Sequence, residues 1–387
     1  MAVARIESPG PSRFVLPIVG LIGLGLCVGG ILVLYDPHGG PNLLASIYDA
    51  LGNSSAATDL RNGQGDQVIA KLLLAAIALL VGVGGIWLLF LCVGGLVGML
   101  HAKWRDRILP WVFAGPAVVL LAVFLLYPAA GTILRSFQDN KGQFTLANFA
   151  VMVEPEFTQI LRNNALWLIL GTGASVVLGL IFAGLFDRIR RESLAKTIVF
   201  LPLAISLVGA SVIWQFVYAF QAGGLPQIGL LNAVVVGLGG KPIAWLTTSP
   251  LNIFCEIVIL VWLQTGFAMV VFSAAIKGVS GEVIEAARLD GASERQVFAR
   301  VIVPMIRGSI VTVSTTIAIV TLKIFDIVYV TNGGRLGDDV VANRMFHEVF
   351  QFFEDGRGAA LATLLFIAVL PVMYINLRNF RRQQAEG

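Results

Sequence analysis

The sequence predicts an all-α integral membrane protein with eight transmembrane helices. Three observations carry that expectation. The 387 residues are 57% hydrophobic and 13% charged with a mean hydropathy of +0.84, too apolar for a soluble domain. Eight nearly uncharged runs are each long enough to span a bilayer. Basic residues segregate between alternate loops: seventeen fall in one set, which includes both termini, nine fall in the other, and Lys323 lies inside a run. The richer set is predicted to be cytoplasmic.

The runs, taken in order, have individual justifications. Phe14–Tyr35 follows Arg5 and Arg13 as a signal peptide would, but it is too long for one, and no small-residue cleavage pattern comes before Asp36. It reads as a retained start-transfer helix. Leu72–Met99, Ile108–Leu134, Ala165–Phe186, Thr197–Phe220, Leu251–Ile276, Ile310–Val330 and Ala359–Leu377 complete the set. The first two are Gly-rich, and Gly25/Gly29 and Gly94/Gly98 have the small-xxx-small spacing of closely packed helices. A compositional boundary near residue 105 divides a two-helix membrane extension, 1–106, from a six-helix core, 107–387. By this topology Gly223 and Asp338 fall in outward loops and Ser293 in an inward one. Cys27, Cys92 and Cys255 lie within apolar segments and form no disulfide framework. The charge of +4 reports orientation, and no nucleic-acid partner is implied.

Between the sixth and seventh runs lies one long polar stretch, Ser280–Pro304, SGEVIEAARLDGASERQVFARVIVP. Ser280 is placed to cap a short helix whose first turn carries Glu282 and Glu285, where the positive helix end favours acids. Gly291 is placed to stop that helix in a left-handed turn. Ser293 and Gln296 have capping-box spacing for a second helix, and Val297, Phe298, Val301 and Ile302 fall on one stripe of it. Pro304 marks a break before the next run. Two short helices joined at a glycine elbow are therefore expected, built to meet another protein.

Glu285, Ala286, Ala287, Gly291 and Pro304, in this spacing, resemble the EAA loop of the membrane subunits of ATP-binding-cassette (ABC) importers. Val301 and Val303 stand where that loop usually has Ile and Leu. From Leu109 onward the resemblance covers nearly the whole chain. Asn163-Asn164, Phe200-Leu201-Pro202, Gly229 to Asn232, Ala244-Trp245-Leu246, Trp262 to Phe267, and Phe325 to Val330 followed by Gly333-Gly334 resemble carbohydrate-uptake permeases of the maltose and α-glucoside type. The segment from Arg135 to Asn164 is short where the enteric maltose subunit carries a folded domain, which favours the α-glucoside branch or a general disaccharide permease. The resemblance implies a type I ABC importer permease fold whose loop 277–308 inserts into a cleft of a cytoplasmic ATPase. It also implies the partners: a second homologous permease, two ATPase subunits and an extracytoplasmic sugar-binding protein. An importer of another small solute is the alternative reading, with a secondary transporter behind it.

The residues themselves are consistent with such a division of labour. No GxxxxGK[ST] stretch is present, so ATP is expected to be bound by partner subunits and no cofactor by this chain. Neither HExxH nor GxSxG occurs, and an enzyme is not expected. Only Glu256, Lys323 and Asp326 place charge within runs. Glu256, roughly 7 Å from its helix end at 1.5 Å per residue, is expected to reach interfacial water. Lys323 and Asp326 lie deeper, where each charge alone costs about 2.5–3.5 kcal/mol, so they are expected to form a structural ion pair or to line a path for solute. A sugar path needs aromatic faces and hydrogen-bonding groups. Ser211, Gln215 and Tyr218 on the fifth run, Gln264 and Thr265 on the sixth, and Lys323, Asp326 and Tyr329 at i, i+3, i+6 on the seventh are the candidates, with helix–helix hydrogen bonding as their competing role.

Overall fold

The computed structural model describes residues 102–386 except 188 and 223, together with isolated positions between 49 and 87. The runs Phe14–Tyr35 and Leu72–Met99, the glycine pairs within them, and Gly223 lie outside the described residues. The chain divides into two compact units, Met1–Pro128 and Ala129–Gly387. Among the described residues the elements are helices, with one isolated antiparallel bridge between Gln138 and Phe144.

Among the described residues, four helices are long and apolar enough to cross a membrane: α1 (Phe113–Ser136), α2 (Pro155–Phe186), α6 (Leu251–Lys277) and α12 (Asp355–Arg381). Two bent pairs raise the number to six if each is one span: α3 (Glu192–Ala204) with α4 (Leu207–Val217), and α8 (Glu294–Met305) with α9 (Arg307–Leu322). Shorter helices are α5 (Leu230–Gly237), α7 (Gly281–Leu289), α10 (Asp326–Thr331) and α11 (Val341–Phe350).

Two of the predicted spans are not straight helices. The fifth, Thr197–Phe220, is broken by 104°. Pro202 sits in a 3₁₀ turn at Leu201–Ala204, Ile205 is extended at φ −91°, ψ 139°, and the Ser206 hydroxyl accepts the Gly209 N–H at 3.0 Å, so a new helix is capped where continuity was expected. The seventh stops at Leu322. The Lys323 and Ile324 N–H groups donate to Val320 and Thr321 carbonyls in i→i−3 bonds that tighten and end the helix, and Phe325 is non-helical at φ −138°, ψ −55°. The phase of the helix is thereby reset, and Lys323, Asp326 and Tyr329 do not share one continuous i, i+3, i+6 face.

Within residues 129–387 the core is built around α6, whose Ile259, Leu260, Ala268, Met269 and Phe272 have no exposed surface. Trp167, Ile324 and Ile327 pack against its first half, and Ala183, Val313 and Ile317 against its second. Close approach is possible because Gly179 of α2 has no side chain: a Cβ there would lie 2.4 Å from the Ala268 Cβ. A third cluster, Val151, Phe157, Ile160, Val341 and Leu361, joins the start of α2 to α11 and α12.

Candidate functional site

The elbow forms as the sequence pattern requires. The Ala292 N–H closes on the Ala287 carbonyl at 3.1 Å and the Gly291 N–H on that of Arg288 at 3.0 Å, with Gly291 at φ +81°, which L side chains rarely adopt. Across it, Arg288 Nε lies 2.8 Å from Glu294 Oε1. The Ser293 N–H and hydroxyl both donate to Gln296 Oε1, at 2.8 and 3.0 Å. Ser280 differs from expectation: it occupies the N-cap position of α7, but its side chain accepts no capping bond.

One helix of this loop is anchored and the other is bare. On α8 a π-helical turn, Val297–Ile302, buries Val297 and Ile302, and Phe298 lies over Gly184 of α2, where a Cβ would come within 2.6 Å of its ring. No side chain of α7 is buried; Glu285 and Ala286 are exposed, and Leu289 is 88% exposed. Pro304 is exposed one residue before the 72° bend into α9. Immediately before the loop, Lys196 of α3 binds Asp187, Glu192 and the Ser273 hydroxyl, while Lys277 binds Glu192. These contacts clamp α2, α3 and α6 together just before α7.

Candidate path residues separate into two groups. Ser211 and Thr265 are buried and donate to carbonyls one turn back, Leu207 at 2.8 Å and Val261 at 2.6 Å. Tyr218 donates to the Cys255 carbonyl at 3.0 Å within a ring cluster with Trp214 and Trp245. Gln215 donates to the Val330 carbonyl at 2.6 Å and so holds the end of α10. The other group has free valence. Gln264 is half-buried, and its amide has no partner among the described residues. No ion pair joins Lys323 to Asp326; Lys323 is exposed and Asp326 opens α10. Tyr329 stacks on Phe325 at 5.0 Å and meets Phe346 edge-on at 5.0 Å. Lys323, Phe325, Phe346 and Phe366 line a cavity of about 500 Å³.

Glu256 overturns its expectation. It is 0% exposed, its Oε1 accepts from the Thr331 hydroxyl, and α10 and the following loop cover it, because the break after Leu322 folds that segment back onto α6. Asp338, expected in an outward loop, is also 0% exposed, and accepts from Asn252 Nδ2 at 2.6 Å and from Asn332. Asn163 donates to the carbonyls of Gly337 and Asp339 at 2.9 and 2.8 Å, so the same loop is held from α2. Burial raises the Asp339 carboxyl to about 6. Beside it, Glu348, 1% exposed, lies 3.0 Å from Arg344 Nε and 3.1 Å from Arg357 Nε, and Glu154 completes the square by binding both arginines. Sequence reasoning missed Asp339 and the square of Glu154, Glu348, Arg344 and Arg357. For Asp339 the signal was the density of polar residues in Thr331–Asn343, which sequence alone reads as a solvated loop.

A bundle of broken and continuous apolar helices, with clusters of ion pairs near both ends and a short helix of exposed side chains beyond α6, defines a polytopic membrane protein. The chain belongs to the family of binding-protein-dependent transport system inner membrane components, whose pattern matches residues 175–382. It is 47% identical over 277 residues to the osmoprotective compounds uptake permease protein GgtC of Synechocystis, an alignment covering 70% of this chain and 99% of that one. To the alpha-glucoside transport system permease protein AglF of Rhizobium meliloti it is 46% identical over 293 residues, covering 75% and 87%. In fold it resembles a chain of a bacterial alginate ABC transporter crystallised with an alginate pentasaccharide-bound periplasmic protein. That match has a TM-score of 0.63 at 20% identity and covers 73% of this chain and 98% of the other.

Proposed function

We propose that this chain is the permease subunit of an ATP-driven importer for a neutral glycoside, an α-glucoside or related disaccharide. It forms half of the translocation path, with a second permease as the other half. Two ATPase subunits dock at α7 and α8, an extracytoplasmic binding protein delivers the sugar, and both termini are cytoplasmic. Glu285, Ala286, Ala287, Gly291 and Pro304 form the joint, and ATP-driven closure of the ATPases moves it to expose the path to the opposite side. Gln264, Lys323, Asp326 and Tyr329 line the path. Ser211, Gln215, Tyr218 and Thr265 shape it from behind, through the bonds that hold their helices. Residues 1–106 are a two-helix extension to the core.

The observation that carries this reading is α7 next to the Gly291 elbow, a helix with no buried side chain that leaves Glu285, Ala286 and Leu289 exposed. The α-glucoside assignment rests on the likeness to AglF, supported by the free amide of Gln264 and the ring stack at Tyr329, which suit a hydroxyl-rich, uncharged ring. Likeness to GgtC favours a second reading, an osmoprotective compound as solute. Uptake of labelled trehalose, maltose and sucrose, in competition with uncharged osmoprotectants, separates the two in a strain deleted for the gene and complemented with it. Failure of every glycoside to enter or compete would overturn the first reading.

A further inference from the structure

The end of α6 farthest from the elbow holds a buried acid pair that transport, as described above, does not use. Glu256 of α6 and Asp338 of the loop between α10 and α11 are both 0% exposed. One oxygen of each is satisfied: Glu256 Oε1 by the Thr331 hydroxyl, Asp338 Oδ2 by Asn252 and Asn332. The other two, Glu256 Oε2 and Asp338 Oδ1, are buried without a partner. The two carboxyl groups are held side by side, because Asn252, which binds Asp338, lies one turn before Glu256 on α6, and Thr331 and Asn332, which bind Glu256 and Asp338, are consecutive residues. Ionised carboxylates only accept, so neither can satisfy the other, and two adjacent negative charges in a dry site repel. Among the described residues no cation pairs with either, and Arg335, on the same loop as Asp338, is exposed and lies toward His347. Arg344 of α11 is engaged by Glu154 and Glu348, and Arg162 of α2 is an exposed residue lining the cavity beside Asn252. The remaining titratable neighbours, Tyr218 and Cys255 beside Glu256 and Asp339 beside Asp338, supply no positive charge.

We infer that Glu256 and Asp338 share one proton, forming a proton-binding latch that holds the loop from Asn332 to Val340 against α6. A single proton turns one carboxyl into a donor, gives both orphaned oxygens a partner and removes one of the two charges. Its exchange route is short: a cavity of about 360 Å³, lined by Arg162, Asn163, Ser249 and Gly337, also touches Asn252, which holds Asp338. Removing the proton restores two adjacent negative charges. The latch is therefore present while the proton is bound and is lost as pH rises.

The test uses the full chain in its assembled transporter. Infrared difference spectra should show the carbonyl stretch of a protonated carboxylic acid that shifts on deuterium exchange, present in the wild type and lost in both Glu256→Gln and Asp338→Asn. Thermal unfolding followed between about pH 5 and about pH 9 should show the wild type losing stability as pH rises. Glu256→Gln, whose amide donates to Asp338 as the shared proton does, should lose much less over that interval. Running both in an Asp339→Asn background removes the neighbouring titration. A wild type without the acid band across the whole range overturns the proposal, as does an equal pH dependence in wild type and Glu256→Gln. Stabilisation by added sodium or potassium that disappears in Glu256→Gln also overturns it, because a metal cation would then occupy the pair. If Glu256→Gln fails to assemble, Asp338→Asn and the wild-type band decide the question.

Discussion

The elbow at Gly291 and the loop at Asp338 are both polar interruptions between membrane helices, and they use their polar groups in opposite ways. Around Gly291 the polar groups serve backbone shape: a left-handed glycine, a capping box and one exposed ion pair fix two short helices and leave α7 uncovered. Around Asp338 they hold tertiary structure, with four asparagine side chains, those of residues 163, 252, 332 and 343, tying the loop to α2, α6, α11 and itself. Solvent explains the difference. An exposed ion pair such as Arg288–Glu294 is screened by water and contributes little, whereas a buried group that loses its partner is left uncompensated. The elbow is thus suited to rearrange against a partner, and the loop to stay fixed.

If that contrast is right, folding energy and transport should respond separately. The largest loss of stability is expected from Glu348→Leu, which leaves Arg357 with Glu154 and Arg344 with Glu154 and the more distant, exposed Glu156. Unfolding of the purified protein should become easier by about 3–5 kcal/mol, and an unchanged melting temperature would break the comparison. Asp339→Asn comes next. Because burial raises its carboxyl from 3.8 to about 6, the protonated group's contribution is fully present below about pH 4 and is lost as pH rises through about 6. On the order of 2–3 kcal/mol of pH-dependent stability should vanish in the variant, as read from melting profiles across that interval. His347 titrates in the opposite sense: burial, then Arg344 and Arg335, lower it, so its contribution is present above about 6.5 and is lost as pH falls. That acid-side loss should survive in the Asp339 variant.

Smaller energies are expected at the elbow, with a larger functional effect. Gly291→Val forces a β-branched residue into a left-handed conformation at about 1–2 kcal/mol. The complex should still assemble, while sugar uptake and substrate-stimulated ATPase activity fall to near background. Normal uptake would remove the elbow from coupling. Ser293→Ala is the mildest: the Ser293 N–H keeps its bond to Gln296, so destabilisation should stay below about 1 kcal/mol and uptake per assembled complex should fall only partly.

Legibility in the sequence follows the same divide. The elbow was readable because Gly291, Ser293 and Gln296 act on neighbours within a few residues, and chain-local chemistry repeats wherever those residues recur. Trp262 to Phe267 was placed correctly in one helix for a similar reason, an uninterrupted apolar run. The distant partners of Glu256 and Asp338 could not be read, since Thr331 and Asn252 lie 75 and 86 positions away from them. The breaks at Ile205 and Lys323 were hidden inside runs whose hydropathy alone suggests continuity.

The sequence by itself determined that this chain is helical and membrane-spanning, where its glycine elbow lies and how the helix after it is capped, because apolar run length and local backbone bonding depend on adjacent residues. Only the tertiary structure decided which polar side chains are sealed and which stay open. The fold-back after Leu322 covers Glu256 and Asp338 and leaves Lys323 and Tyr329 exposed, and burial is a property of what the distant chain lays on top.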